Sequence, residues 1–428
     1  MKKVVLAYSG GLDTSVAVAW LREQFGAEVV TLTVDVGGGS LREGVERRAM
    51  SAGASASYVV DARERFVTDF VWPSLQAGAL YQGAYPLATA LARPLIAQLL
   101  VEVAAREGAD AVAHGCTGKG NDQVRFDVAV HALDPALEVV APMRVGMGLT
   151  REQSIDYAAA RGIEIPITKS SPYSIDVNLW GRSIETGILE DPWSSPPPDV
   201  YLWTVDPGDA PEPLEIVVSF EGGVPVALDG ERLAPAALVE RIAELAGAHG
   251  VGRIDHVEDR LVGIKSREIY EAPAATVLHR AHRALEGLAL TKDTLRFNRI
   301  VADELAQLTY DGLWFSALHR DLRAYAASSQ RVVSGDVRMR LDHGNAFVLG
   351  RRSPLSLYDK NLATYDEGDA FDHASAVGFI EIFGLPLRVE AARHGAVGAH
   401  HGAAWSWTEP LLDELPTDVT REETAGVG

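Results

Sequence analysis

The stretch Val4-Val5-Leu6-Ala7-Tyr8-Ser9-Gly10-Gly11-Leu12-Asp13-Thr14-Ser15, followed by Val16-Ala17-Val18-Ala19-Trp20-Leu21, decides the fold. An apolar, β-prone run enters a Ser-Gly-Gly turn and leaves it as an apolar helical pattern, which reads as strand, tight turn, helix. The two glycines let backbone N–H groups approach a ligand with no Cβ in the way. Ser9, Thr14 and Ser15 add hydroxyl donors. The N-terminus of the next helix adds free N–H groups and the positive end of its dipole. A bare Gly-Gly turn would be an ordinary strand-helix connection. Three hydroxyls and Asp13 packed into seven residues make this turn a phosphate cradle.

No Gly-Lys-Ser/Thr follows the glycines, so the turn is not a Walker A loop. G-x-G-x-x-G is absent, so it is not a dinucleotide fingerprint either. The pattern S-G-G-x-D-[ST]-S resembles the PP-loop of the N-type ATP pyrophosphatases. That resemblance implies cleavage of ATP between its α and β phosphates, with the loop holding pyrophosphate and the substrate adenylated.

The chain has 428 residues, enough for two or three domains, and its 47% hydrophobic and 23% charged content is ordinary for a globular protein. A net charge of −20 argues against nonspecific nucleic-acid binding. It also means that ATP or a dicarboxylate is not steered by the overall field, so an anion site must gather its positive charge locally. The single cysteine, Cys116, excludes an intrachain disulfide and fits a reducing cytoplasm. Met1-Lys2-Lys3 runs straight into the first strand, whose apolar run is broken at once, so no signal peptide is expected. No run approaches 18 uninterrupted apolar residues, so no membrane span is expected.

Working outward, strands are expected at Val4–Tyr8, 28–36, 58–60, 111–113 and 138–140. Helices are expected at 14–25, 43–52, 94–106 and 151–161, the last capped by Thr150. This alternation predicts an α/β, doubly wound, mostly parallel sheet, with ligands beyond the strand carboxyl ends. The loop at Ser9–Ser15, the Val34–Gly37 segment and His114-Gly115 should share one crevice. Past Gly162 the pattern becomes α+β. Ser194-Ser195-Pro196-Pro197-Pro198 reads as a stiff exposed connector, and 215–220 with 225–228 as a hairpin. Further strand pairs are read near Leu261–Gly263 and at 337–341 with 346–349, and helices at 235–245, 274–288 and 294–307. From about Val389 the composition predicts an extension with partial order at most. The expected domains are 1–165 for nucleotide binding, 166–365 as an α+β synthetase domain, and 366–428 as a C-terminal oligomerisation segment and tail.

The densest polar stretch is His114-Gly115-Cys116-Thr117-Gly118-Lys119-Gly120-Asn121-Asp122-Gln123-Val124-Arg125-Phe126. Its glycines free the backbone, and Lys119 and Arg125 supply local positive charge, with Arg able to hold a carboxylate bidentately. Paired with the opening loop, it resembles the argininosuccinate synthase family. Ala92-Arg93-Pro94, the block Ser174-Ile175-Asp176-Val177-Asn178-Leu179-Trp180-Gly181-Arg182-Ser183-Ile184-Glu185, the block Val262 to Glu271, and Tyr310-Asp311-Gly312-Leu313-Trp314 follow in the family's order. The resemblance covers roughly residues 1 to 385.

The resemblance implies ATP-dependent ligation of citrulline and aspartate through a citrullyl-adenylate, releasing AMP and pyrophosphate, with Mg²⁺ carried on the phosphates. It implies ATP contacts at Ala7, Tyr8, Ser9, Gly10, Gly11, Leu12, Asp13, Thr14, Ser15, Val34 and Gly115. Aspartate falls to Thr117, Asn121 and Asp122. Citrulline falls to Tyr85, Asn121, Arg125, Ser174, Ser183, Glu258 and Tyr270. Asp13, Asn121, Asp122 and Arg125 carry the catalytic roles, no protein metal ligand is assigned, and Asp13 is an indirect Mg²⁺ contact. A homotetramer whose C-terminal region wraps a neighbour is also implied. Taken alone, Tyr85 and Tyr270 would be packing residues, Glu258 a solvated charge and Cys116 small-residue packing. Lys265 and Arg267 are left without a role. Two departures stand out: Gly37-Gly38-Gly39 where the family often has Gly-Gln, and Ala90 where it usually has serine. They admit a paralogue acting on another ureido acid. Another PP-loop enzyme, such as a tRNA-thiolating one, would want paired cysteines or a basic face. A noncatalytic nucleotide sensor would lose polar residues in Thr117–Arg125, and none is missing.

Overall fold

The computed structural model describes residues 1–401 except 40, 42, 145, 165–171 and 366–368. Residues Met1–Tyr358 form one compact unit and the chain from Asp359 a second.

The first half alternates strand and helix, with three helices between the third and fourth strands: β1 (Lys3–Ala7), α1 (Leu12–Phe25), β2 (Glu28–Asp35), α2 (Val45–Ser51), β3 (Ala56–Asp61), α3 (Arg63–Phe66), α4 (Trp72–Ala77), α5 (Ala88–Glu107), β4 (Ala111–Ala113), α6 (Asp122–Leu133), β5 (Glu138–Val140) and α7 (Arg151–Ala160). The five strands lie in the order β3-β2-β1-β4-β5, and every pairing is parallel. Alternate side chains of β1 feed two cores. Val4 and Leu6 pack with Val16, Ala17 and Leu21 of α1, while Val5 packs with Leu91 and Leu95 of α5. The strand order reverses direction between β1 and β4, which is where a doubly wound sheet opens a crevice at its carboxyl edge.

Two antiparallel sheets follow. The first has the order β11-β12-β7-β6, from β6 (Ser174–Asn178), β7 (Gly181–Glu185), β11 (Arg253–Asp259) and β12 (Lys265–Glu271). The second has the order β10-β9-β8-β13-β14, from β8 (Leu214–Glu221), β9 (Val224–Leu228), β10 (Glu231–Arg232), β13 (Gly335–Asp342) and β14 (Asn345–Arg352). They are joined by α8 (Pro235–Ala248), α9 (Pro273–Ala289), α10 (Lys292–Tyr310) and α11 (Ala317–Gln330). One continuous core runs from Val5 and Leu91 through Trp180 and Tyr270 to Val218 and Met339. Glu271 is fully buried inside it. One of its oxygens accepts from Trp203 N–H, Thr204 N–H and the Thr204 hydroxyl, the other from Leu202 N–H and Arg182. In the second unit, α12 (Lys360–Ala363), α13 (His373–Phe383) and α14 (Leu385–His401) are helical.

Several expectations shift. Leu261–Gly263 is not strand: Arg260 and Ile264 close a hairpin between β11 and β12, and Gly263 sits at φ +83°. α5 begins at Ala88, not Pro94, which lies inside the helix and costs it one N–H bond. α5 is also the one described helix long and apolar enough to cross a membrane, but 67% of that window is buried within the unit. The end of the polar stretch, from Asp122 on, opens helix α6, for which no helix was expected. Residues 389–401 continue α14, so this part of the extension is helical; the rest of the tail lies outside the described residues.

Candidate active site

At the carboxyl ends of β1, β2 and β4 lies a cavity of about 560 Å³. Its lining includes Ala7, Tyr8, Ser9, Thr14, Val34 and Gly115, all expected from the sequence, together with Arg93, Asp176 and Arg182. Gly11 is the N-cap of α1 and no side chain caps that end, which leaves the first-turn N–H groups unclaimed by a side chain. The Ser9 and Thr14 hydroxyls stand 3.2 Å apart at the rim. Ser15 is fully buried, and its hydroxyl bonds the Tyr8 phenol at 2.8 Å. Gly10 takes φ +70°, the left-handed conformation that turns the backbone over the helix end. Leu12 and Asp13 occupy the first turn of α1.

The triple glycine after β2 has a packing reason. Leu179 N–H donates to Val36 C=O, and a Cβ on Gly38 would stand 2.5 Å from the Asn178 carbonyl oxygen. Across the cavity, His114 fixes the turn after β4. Its Nδ1 accepts from Cys116 N–H at 3.2 Å, so Nε2 carries the proton and donates to Asp127 at 2.8 Å. Burial raises the Asp127 pKa, but His114 and Arg144 outweigh it and hold the carboxyl below its usual range. Burial pushes the Cys116 thiol far above its usual range, so it is not a thiolate nucleophile at neutral pH.

Arg93 connects this cavity to a second group of residues. From α5 it reaches Asp122 at 2.8 Å and also pairs with Asp176 of β6. Asp122 accepts in turn from Arg125 at 2.9 Å, one helical turn along α6. Burial works against both charges, and attraction prevails: Arg93 and then Arg125 hold Asp122 below the usual carboxylate range, and Asp122 holds Arg125 above the usual guanidinium value. Arg125 is 4% exposed, and its Nη2 has no partner among the described residues. It and Arg93 Nε are the buried donors in this cluster that a ligand would satisfy.

Asn121, Arg125 and Glu258 converge on Tyr310. Its phenol accepts from Asn121 Nδ2 at 2.8 Å and donates to Glu258 Oε1 at 2.6 Å, and its carbonyl accepts from Arg125 Nε at 2.8 Å. Glu258 Oε2 accepts from Tyr270 at 2.6 Å. Burial and the Glu258 carboxylate keep both phenols protonated far above pH 10, so each remains a donor. Rings complete the wall: Tyr81 stacks on Tyr310 at 3.6 Å and Tyr85 on Tyr270 at 4.4 Å. Tyr85 is buried, and its hydroxyl accepts from Thr89 N–H at 2.9 Å. Ser183 lies opposite Tyr270 in register, 3.5 Å from the Thr89 hydroxyl. Ala90, the position without the family's serine, is buried in α5. Thr117 is exposed on the turn before α6, and Ser174 is exposed at the start of β6, away from the cavity lining.

Sequence reasoning left Arg93, Asp176, Arg182, Tyr81 and Tyr310 without a role. Arg93 and Asp176 sat in quoted blocks, and Tyr310 opened the last of them, but nothing local marked it as the partner of Asn121 and Glu258. Among the described residues no cluster of three His, Cys, Asp or Glu side chains could hold a metal ion.

Comparison with known proteins agrees with this layout. Residues 3–164 match the family model described as Arginosuccinate synthase N-terminal HUP domain, and residues 173–390 match Arginosuccinate synthase C-terminal domain. A relative named argininosuccinate synthase from Dehalococcoides mccartyi (strain ATCC BAA-2266 / KCTC 15142 / 195) is 56% identical over 394 residues, covering 91% of this chain and 96% of its own. Relatives of the same name from Synechococcus sp. (strain JA-3-3Ab) and Symbiobacterium thermophilum are 57% and 56% identical, covering 93% and 91% of this chain and 99% and 98% of theirs. The two family models, matched over most of the chain, and relatives of 56% and 57% identity that cover 91% and 93% of it place this chain in the argininosuccinate synthase family.

Proposed function

We propose that the crevice joins citrulline to aspartate in two steps, with the residues above in the following roles. ATP lies in the cavity, its adenosine end toward Val34 and Gly115 and its phosphates on Ala7 to Ser15. The citrulline ureido oxygen attacks the α-phosphorus, the bond to the bridging oxygen breaks, and pyrophosphate leaves into the loop. The aspartate amine then attacks the activated carbon, a proton is lost, and AMP departs. The observation that supports this reading is the bridge Arg93 makes between the phosphate cavity and the Asp122–Arg125 pair.

This chemistry requires placement rather than a side-chain nucleophile. Alignment of bound reactants supplies up to about 7–11 kcal/mol of such a barrier. Arg125 takes the citrulline carboxylate and Glu258 its ammonium, since each Glu258 oxygen keeps a lone pair beyond its phenol. Tyr85, Ser174, Ser183 and Tyr270 enclose the rest of citrulline. Thr117, Asn121 and Asp122 receive aspartate, with Asp122 orienting its amine. Mg²⁺ neutralises phosphate charge when bound. The ion is carried by ATP, with Asp13 as an indirect contact.

The family matches, which divide between residues 164 and 173, support the break between a nucleotide-binding domain at 1–165 and a synthetase domain at 166–365; the second match runs on to 390. The segment 366–428 is assigned to assembly of a homotetramer, supported by the exposed Phe379, Ile380, Ile382 and Phe383 of α13. A monomer mass by light scattering of the full chain would remove that assignment. A single cysteine fits a cytoplasmic site. The test of function is pyrophosphate release with citrulline alone and then with aspartate added. A stoichiometric burst followed by aspartate-dependent turnover is expected; ADP and phosphate as products would overturn the reading.

A further inference from the structure

Arg48 has no role in anything described so far. It lies on α2, is 8% exposed, and donates through Nη1 to the Glu43 carbonyl at 2.6 Å. Its Nε and Nη2 are buried with no hydrogen-bond partner, and no carboxylate pairs with it among the described residues. A buried guanidinium without a counter-charge is rare and costly. Its position explains the cost. A Cβ on Gly10 would stand 3.0 Å from Arg48 Nη2 and 3.0 Å from Val45 Cγ2, so the guanidinium lies directly against the backbone of the phosphate loop. It meets the loop beside the open N-terminus of α1. The protein carries −20 overall, and the turn Ser9–Ser15 holds no cation of its own.

We propose that Arg48 is the positioning cation of the pyrophosphate subsite: a charge left uncompensated beneath Gly10, whose counter-ion is the pyrophosphate held on the other side of the loop. It acts through the loop, since its free N–H groups are closed off from solvent. Its effect is a positive potential added to the dipole and N–H groups of α1. This inference rests on the loop being the pyrophosphate site.

The test compares the parent protein with Arg48→Met and Arg48→Lys, using inorganic pyrophosphate as the probe. A unit charge within about 8 Å in a half-buried setting is worth on the order of tenfold in anion affinity. Arg48→Met should therefore weaken pyrophosphate product inhibition about tenfold and raise KM for ATP in step, leaving KM for citrulline within about twofold. Arg48→Lys, which keeps the charge, should stay near the parent. Without ligand, Arg48→Met should melt no lower than the parent, because it removes an unpaired buried charge. A purely structural arginine gives the opposite pattern: a lower melting temperature or failure to fold with Met, and equal defects with Lys and Met. Either result overturns the proposal, as does unchanged pyrophosphate inhibition in Arg48→Met. If pyrophosphate neither inhibits nor stabilises the parent, the reading of the loop itself fails instead.

Discussion

Tyr310→Phe removes one oxygen and leaves the ring in place. The stack on Tyr81, the 4.8 Å approach of Arg125 to the ring and the carbonyl that accepts from Arg125 all remain. Two hydrogen bonds go: Asn121 Nδ2 loses its acceptor and Glu258 Oε1 its donor. A hydrogen bond to a charged group contributes about 1.5–3 kcal/mol, and an orphaned buried amide donor costs about 1–3 kcal/mol. Asn121 is only half-buried and Glu258 keeps Tyr270, so the low ends apply and the sum is about 2–3 kcal/mol. Glu258 is assigned to citrulline, and Asn121 to both citrulline and aspartate. The loss should therefore appear as a fall of about 30- to 150-fold in kcat/KM for citrulline, with a smaller fall for aspartate. KM for ATP should hold within about twofold, because no residue lining the cavity proposed for ATP loses a bond. Steady-state kinetics with each substrate varied in turn, beside a melting curve, separates the cases. A variant with unchanged kcat/KM for citrulline would refute the view that Tyr310 sets these groups; equal losses for citrulline and ATP would refute its confinement to the amino-acid subsites.

Asp122→Asn leaves Arg93 and Arg125 without their shared carboxylate; with Asp122 still 26% exposed, the loss should be about 2–4 kcal/mol, read as a lower denaturation midpoint and reduced kcat/KM for both amino acids. Cys116→Ala should retain kcat within about threefold, since the buried thiol is no nucleophile, and loss of turnover would reopen that role. Glu268 is pushed up to about 8 by burial and by the carboxylates of Glu185 and Glu258, against the opposing pull of Arg260. Its folded pKa lies above the unfolded value of 4.5, so its contribution to stability is complete below 4.5 and is lost as pH rises through about 8. The melting temperature should fall across that window, and Glu268→Gln should flatten the fall; an identical pH profile would contradict the assignment.

The first half of the fold was legible because its signals are local. The apolar run of β1, the glycine turn and the helix after it stand within twenty residues, and strand-helix alternation then dictates a parallel sheet. Boundaries were less legible where one residue type serves two purposes. Pro94 looked like a helix start, because proline suits the first turn. Leu261-Val262 looked like a strand, because its apolar residues precede a glycine that in fact closes a hairpin. Of the site, the position of the Ser9–Ser15 turn at the cavity could be read in sequence, and so could the polar character of Asn121–Arg125. The bond from Asn121 to Tyr310 spans 189 residues and that from Tyr310 to Glu258 spans 52, and no periodicity encodes a partner at such distances. Arg48 is hidden for another reason: Glu46-Arg47-Arg48 reads as a solvated helix face, and only packing against Gly10 makes its third residue unusual.

The direction of ATP cleavage is the central claim, and the fate of the ureido oxygen tests it most directly. With citrulline labelled at that oxygen by oxygen-18, attack on the α-phosphorus must leave the label in AMP when aspartate displaces it. Mass spectrometry of the products should find one labelled oxygen in AMP and none in pyrophosphate. Unlabelled AMP, or label in inorganic phosphate beside ADP, would contradict the account.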